Sequence, residues 1–339
     1  MSRLLVREVQ PGLSRSVGGS GQDETMPQKS LASALAAIVA CVALAGCSSP
    51  AATPDASAPP TSISDSPQSP DATPSAPPID LDAPLAALEA EYDALVGVSA
   101  LDTGTGRRVD HRADERFGYA STIKAFLAAQ FLHDVPAAER DERVTWTQSD
   151  VDAAGYSPVT SEHVDDGLTL AELVDASVRF SDNTATNLVF DRLGGPTELD
   201  TSLAALGDET TEVVNVEPAL NDVEPDGTDD TSTAAAFTAD VTTILTSDVL
   251  ADSDRASWVD LLTGNATGDT LIRAGAPEGW TVADKSGGAG PIRNDVAIVT
   301  PPGRDPIVLT ILTTKNDPDA AYDDALVADA ARVVLDALE

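Results

Sequence analysis

The sequence predicts a mixed α/β fold (α+β): one antiparallel sheet assembled from both chain ends, with an all-α insert domain between them. Three observations carry this. Strand-like runs cluster at the two ends of the stretch after residue 80, the middle is helical in period, and a helix flanks the strands at either end. In order, Leu81 to Leu95 places Leu85, Leu88, Tyr92 and Leu95 at helical spacing. Val96 to Leu101 and Arg108 to Ala120 read as strands around the Asp102-Thr103-Gly104-Thr105-Gly106 turn. Thr122 to His133 is rich in Ala, Phe and Leu, so it reads as a buried helix with Ser121 at or near its N-terminus.

Helices are expected next over Leu168–Val178, Asn183–Leu193, Pro196–Leu206, Ala234–Leu245 and Arg255–Leu262. Three strand-like runs follow: Gly279–Asp284, Asp295–Val299 and Ile307–Thr314. Pro301-Pro302-Gly303 turns between the last two, and Gly287 to Gly290 reads as a flexible loop. Ala320 to Leu338 is amphipathic, with Leu326, Ala330, Val333 and Ala337 on its apolar side.

The N-terminal part is not domain material. Residues 1–25 read as an upstream mis-start or a leader. Residues 26–47 carry Lys29, an apolar run from Leu31 to Gly46, and small residues ending in Leu44-Ala45-Gly46-Cys47. The run is too short to span a bilayer, which takes about 20 apolar residues. It reads as a lipoprotein signal peptide with Cys47 as the lipidated residue and membrane anchor. Residues 48–79 are almost entirely Ser, Pro, Ala, Thr and Asp, a composition that cannot bury a core and serves as a tether. Residues 80–339 are left as one catalytic domain. The other cysteine, Cys41, sits inside the signal, so the exported part is expected to have no disulfide.

The formal charge of -36 excludes nucleic acid as a partner, because phosphates would be repelled. The acidity is spread over surface-type positions and serves solubility. Lysines are scarce: Lys29, Lys124, Lys285 and Lys315. Two of them fall in four ordered motifs, Ser121-Thr122-Ile123-Lys124, Ser181-Asp182-Asn183, Glu217-Pro218-Ala219-Leu220-Asn221 and Lys285-Ser286-Gly287. A serine hydroxyl needs a base before it is a good nucleophile. Lys124, one helical turn from Ser121, serves if burial or a nearby cation such as Lys285 lowers its pKa. Each motif alone is weak. Their conjunction is the toolkit for acylating a serine and then deacylating it.

With those motifs, and with Tyr156-Ser157-Pro158-Val159-Thr160, Gly194-Gly195-Pro196 and Trp280 to Gly287, the chain resembles the class A β-lactamases of the penicillin-recognising serine enzymes, here of an actinobacterial lipoprotein type. The likeness covers residues 80 to 339 and implies the β-lactamase/transpeptidase-like fold, an α domain on an α/β domain. It implies that Ser121 attacks the β-lactam carbonyl of penicillin- or cephalosporin-type antibiotics. The N–H groups of Ser121 and Gly288 would form the oxyanion hole. Lys124, or Glu217 through a water, would take the serine proton. Ser181 would protonate the leaving nitrogen, and Asn183 would bind the substrate's side-chain amide. Glu217 and Asn221 would hold the hydrolytic water. Lys285, Ser286 and an arginine would hold the substrate carboxylate, with Arg273 favoured and Arg293 the alternative. Tyr156 would wall the entrance, and the Glu217–Pro218 bond would be cis. The family implies a monomer with no cofactor and no metal.

Two departures stand out. The arginine that closes the base-carrying loop reads here as Asn215, facing Asp230, and the loop after Lys285 is about a residue short. His111, His133 and His163 lack metal-ligand spacing. Asp229-Asp230 and Asp323-Asp324 read as solvated pairs, with Asp230 a candidate brace for the loop, and Trp146, Trp258 and Trp280 as core. Two rivals remain. A D-Ala-D-Ala peptidase would not need the Glu217 to Asn221 arrangement. A non-turnover β-lactam-binding sensor would acylate and stay acylated.

Overall fold

A computed structural model describes residues 78–339. The expected leader, the lipobox with Cys47 and the tether up to residue 77 lie outside the described residues. Helix α1 (Asp82–Tyr92) leads into β1 (Ala94–Asp102), which hairpins onto β2 (Arg108–His111). Near the other end come β7 (Thr281–Ala289), β8 (Ile292–Thr300) and β9 (Ile307–Lys315). β9 pairs antiparallel along the whole of β1, from Ala94↔Lys315 to Asp102↔Ile307. The sheet order is β2-β1-β9-β8-β7, so both ends of the folded chain meet in one antiparallel sheet, as expected.

Alternation along β9 shows why the sheet is buried on both faces. Ile307, Leu309 and Ile311 point into a core shared with α1, the short α9 (Ile272–Gly275) and α10 (Asp324–Leu338). Val308 and Leu312 point into the other core, against the helical insert. That insert holds α2 (Lys124–Asp134), α3 (Gln148–Ala154), α4 (Leu170–Arg179), α5 (Asn183–Leu193), α6 (Pro196–Leu206), α7 (Ala234–Thr246) and α8 (Asp252–Thr263). Phe126, Phe131, Phe190, Phe237 and Trp258 fill its centre. The Trp258 indole N–H finds a partner there, the Ala125 carbonyl at 2.8 Å.

Local chemistry sets the helix ends. Thr169 and Glu172 form a capping box at the start of α4, and Gly194 and Gly207 stop α5 and α6 in the left-handed region. Helix α3 was not expected, yet Thr147 and Asp150 give it a capping box as well. The run expected as one strand from Arg108 to Ala120 is broken. Arg112 turns with φ 43°, and the second half, β3 (Arg116–Gly118), leaves the main sheet to pair with β6 (Thr231–Thr233). A second short ribbon joins β4 (Arg143–Val144) to β5 (Leu168–Thr169). Trp146 and Trp258 are core residues as expected, whereas Trp280 is only partly buried.

Candidate active site

Ser121 sits in a 3-10 turn, Ala120–Ile123, that runs into α2. Asn294 on β8 holds this turn by donating to the carbonyls of Gly118 (2.8 Å) and Tyr119 (3.1 Å). Strand β7 passes unusually close. A Cβ at Gly287 would lie 2.8 Å from the Tyr119 carbonyl oxygen and 3.0 Å from the Thr122 nitrogen, so only glycine fits. Gly287 and Gly288 are therefore strand, not the expected flexible loop. β7 runs on to Ala289 and closes on Ile292 through a two-residue turn at Gly290-Pro291, where Gly290 takes φ 51°. β7 is an edge strand, so alternate backbone N–H groups face away from β8.

Four of the sequence-predicted residues meet at one point. The Ser121 hydroxyl donates to Glu217 Oε1 at 3.2 Å. The Lys124 ammonium lies 2.9 Å from the same oxygen, with both side chains buried. It also donates to Asn183 Oδ1 (2.7 Å) and to the Ser181 carbonyl (2.9 Å). An ammonium has three protons, and these three acceptors use them. Burial pushes Lys124 below the ordinary lysine pKa, and the charge of Glu217 opposes that shift. Ser181, held at φ 58°, has its hydroxyl 3.4 Å from Lys124 Nζ and 3.2 Å from Lys285 Nζ. Its neighbour Asp182 is buried. It caps α5 at Ala185 and accepts from Val159 N, Thr160 N and Thr160 Oγ1, tying α5 to the Tyr156 segment.

Glu217 is fixed from three sides by amides. Asn187 accepts from its N–H (2.9 Å) and donates to its carbonyl (2.8 Å). Asn221 donates to Oε2 (2.8 Å). The peptide bond to Pro218 is cis, as expected. The loop itself is closed at Asn215, whose amide donates to Asp230 Oδ2 (2.6 Å). Asp230 Oδ1 also accepts from the Val214 and Asn215 backbone (3.0 Å each) and from the Tyr119 hydroxyl (2.7 Å). Asp230 is buried, so it is a brace and not the solvated residue of the alternative reading. Burial, with the charge of Asp230, holds the Tyr119 phenol well above its ordinary pKa.

Lys285 is fully buried and donates to the Ser286 carbonyl at 2.8 Å. Burial, then the like charge of Lys124, pushes its pKa down to about 7, against the attraction of Asp284 and Asp295. Those two acids lie on the other side of the strand pair. Burial raises both, and Asp295 is driven further by the charge of Asp284.

The expectation for Arg273 is corrected here. Its guanidinium lies 2.6 Å from Asp284 Oδ1, and it donates to Asp269 (2.9 Å) and to the Asn265 carbonyl (2.7 Å). It is spent as a counter-charge and does not line the cleft. Arg293 does. Its Nε pairs with Asp324 (2.7 Å), which makes Asp324 a positioned partner and not a solvated residue, while Asp323 caps α10.

The cleft has a volume of about 330 Å³. Ser121, Tyr156, Ser181, Asn183, Glu217, Asn221, Ser286 and Gly288 all line it, as predicted. Tyr156 is 60% exposed, which suits a wall at the mouth. Asn183 Nδ2 donates to the Ala154 carbonyl (3.0 Å), leaving one amide proton for a ligand. Three contributors escaped the sequence reading. Thr267 shares a 2.6 Å hydrogen bond with Ser286, Tyr322 lines the cleft beside Arg293, and Asn187 clamps the base. Asn187 carried a signal, since it stands four residues after Asn183 on one helix and shares its face. No group of metal-ligating side chains is found among the described residues.

A nucleophilic hydroxyl, a buried carboxylate–ammonium pair and a cationic wall define a serine acyl-transfer site. Residues 80–338 match the Beta-lactamase enzyme family, and the chain belongs to it. It is 47% identical over 254 residues to a β-lactamase of Bacillus licheniformis, covering 75% of this chain and 82% of that protein. A β-lactamase of Amycolatopsis lactamdurans is 47% identical over 252 residues, covering 74% and 83%. Among solved structures, the β-lactamase from Streptomyces albus G superposes with a TM-score of 0.74 at 40% identity, covering 76% of this chain and 99% of that one. The class A β-lactamase of Clostridium kluyveri gives 0.73 at 41%, covering 76% and 98%.

Proposed function

We propose that this chain is a class A serine β-lactamase that opens the ring of penicillin- and cephalosporin-type antibiotics through an acyl-Ser121 intermediate, and so confers resistance to them. One observation carries the reading: the Ser121 hydroxyl is hydrogen-bonded to Glu217, a carboxylate that three asparagine contacts and Lys124 hold in place. Of the two candidate bases, Glu217 is the better placed. The Ser121 hydroxyl is directed at Glu217 Oε1, whereas Lys124 Nζ is turned toward Glu217, Asn183 and the Ser181 carbonyl.

In this reading Ser121 passes its proton to Glu217 and attacks the lactam carbonyl. The developing oxyanion is met by the N–H groups of Ser121 and Gly288. Ser181, between two ammonium groups, protonates the departing nitrogen and is reprotonated by Lys124, which in turn takes from Glu217 the proton that came from Ser121, so that Glu217 is a carboxylate again. Glu217, steadied by Asn221, then takes a proton from water, which attacks the ester carbonyl, and returns that proton to Ser121 Oγ as the C–O bond breaks. Lys285, Ser286, Thr267 and Arg293 hold the substrate carboxylate, with Arg293 in the place first given to Arg273. Asn183, with one amide proton free, binds the substrate's side-chain amide, and Asn221 stays with Glu217 and the hydrolytic water. The same proposal includes a monomer tethered by a lipid on Cys47 to the outer face of the bacterial membrane.

The test is hydrolysis of a penicillin by the purified protein, followed at the lactam absorbance. Turnover that disappears in Ser121→Ala is expected. A wild-type protein that leaves penicillins and cephalosporins intact would overturn the reading.

A further inference from the structure

Tyr322 belongs to no motif and lies outside the catalytic groups, yet it lines the cleft. Its ring is 42% exposed, an unusual state for a large side chain in this core-rich fold. It is not loose. Its backbone N–H donates to the Gly290 carbonyl at 3.2 Å, which ties the segment before α10 to the β7–β8 turn. The Arg293 guanidinium carbon lies 4.8 Å from the ring centroid, a stacking distance, and Arg293 is itself anchored on Asp324. A Cβ at Gly288 would lie 2.9 Å from Arg293 Nη1 and 3.3 Å from Tyr322 Cε1. Glycine at 288 thus keeps the corner between strand, arginine and ring free of side-chain atoms.

The corner has a chemical meaning that rests on the β-lactamase reading above. A substrate carboxylate held by Arg293 presents the neighbouring ring atom to whatever stacks on Arg293. In a penicillin that neighbour is a saturated carbon bearing two methyl groups. In a cephalosporin it is an sp² carbon whose substituent is often a flat heteroaromatic group. A flat or cationic ring can lie against the exposed part of the tyrosine, while a methyl group gains little.

We propose that Tyr322 is a specificity-determining residue, forming a subsite for flat aromatic or cationic heteroaromatic substituents on the ring carbon adjoining the substrate carboxylate. Tyr156 is the other exposed tyrosine that lines the cleft.

The test compares wild type, Tyr322→Ala and Tyr322→Phe on three substrates: a penicillin, a cephalosporin with a methyl group at that carbon, and one with a pyridiniummethyl group. Tyr322→Ala is expected to raise KM for the pyridinium compound by about tenfold, the worth of a stacked aromatic contact. Its kcat should stay within a factor of about two, the other two substrates should be little affected, and Tyr322→Phe should behave as wild type. The same three compounds are titrated calorimetrically onto Ser121→Ala with and without Tyr322→Ala, so binding is read without turnover. Wild-type protein that hydrolyses nothing would sink the hydrolase reading, while a selective tenfold change in Kd would still support the subsite. An equal loss for all three substrates, in KM or Kd, would show that Tyr322 merely supports Arg293 and would overturn the proposal. So would no change at all.

Discussion

On the loop side of the cleft, Glu217 is fixed by neutral amides: Asn187 on its backbone, Asn221 on its carboxylate and Asn215 at the closure of its loop. On the strand side, cations are fixed by carboxylates: Arg273 by Asp284, Arg293 by Asp324, and Lys285 by the field of Asp284 and Asp295. The contrast follows from what each side must do. A general base has to keep a carboxylate lone pair in a defined place, and amides give geometry without adding to the one charge already beside it, the Lys124 ammonium 2.9 Å from Oε1. An anion site has to hold positive charge in a dry place, and counter-charges behind the strand make that tolerable. Arg293 uses Nε for Asp324, which leaves the rest of its fork for a ligand.

Four substitutions test this contrast, the strongest effect first. Arg293→Ala removes a charge-assisted contact worth about 1.5–3 kcal/mol, so KM for a penicillin should rise on the order of 100-fold with kcat little changed. The same substitution at Arg273 should lower thermal stability, because Asp284 is left buried and unpaired, before it alters KM. Steady-state kinetics beside melting curves for the two variants would separate the roles, and a KM effect confined to Arg273 would reverse them. Asn187→Ala removes both hydrogen bonds to the Glu217 backbone. A base displaced by a fraction of an ångström should cut kcat about tenfold or more, mainly in deacylation, with KM falling as acyl-enzyme accumulates. Unchanged kcat would show that Asn221 and the loop closure suffice.

The fourth substitution probes a buried carboxyl beside the loop but away from the cleft. Asp240 on α7 faces Asp208, which caps the Thr210 and Thr211 N–H groups at the start of the loop. Burial, then the charge of Asp208, pushes Asp240 up to about 9, and its proton satisfies carboxyl oxygens that have no other partner. The unfolded residue titrates near 3.9. Between about pH 4 and pH 9 the folded state keeps a proton that the unfolded state releases, so stability falls as pH rises through that window and levels beyond it. Asp240→Asn keeps a donor toward Asp208 and removes the titration. Its melting temperature should match wild type near pH 4 and exceed it increasingly as pH rises to 9, because only the wild type loses stability across that window. Parallel pH curves for the two proteins would contradict this.

The chemistry of the site was legible because acyl transfer restricts residue types: Ser121, Lys124, Ser181, Glu217 and Lys285 converge as their motifs implied. The helix boundaries at Asn183–Leu193 and Pro196–Leu206 were legible because glycines end both helices. What could not be read was set by tertiary contact. Arg273 and Arg293 both lie close to β7 in the chain, and only the fold shows that Asp284 neutralises one of them. Gly287 and Gly288 looked like a flexible loop, whereas they are glycine because a strand passes close to a helical turn and an arginine. The break at Arg112 depends on a partner strand, β6, far along the chain. Asn215 replaces a family arginine, yet its amide still reaches Asp230 at 2.6 Å, a closure that depends on distance and not on residue type.

Acylation of Ser121 and its release by Glu217 are the core of the proposed reaction. The most direct test is an intact-mass time course of wild type and Glu217→Gln mixed with a penicillin. The account predicts a wild-type adduct on Ser121 that forms and clears while hydrolysed drug accumulates, and a Glu217→Gln adduct that persists. A wild-type adduct that never clears, or a Glu217→Gln adduct that clears at the wild-type rate, would contradict it.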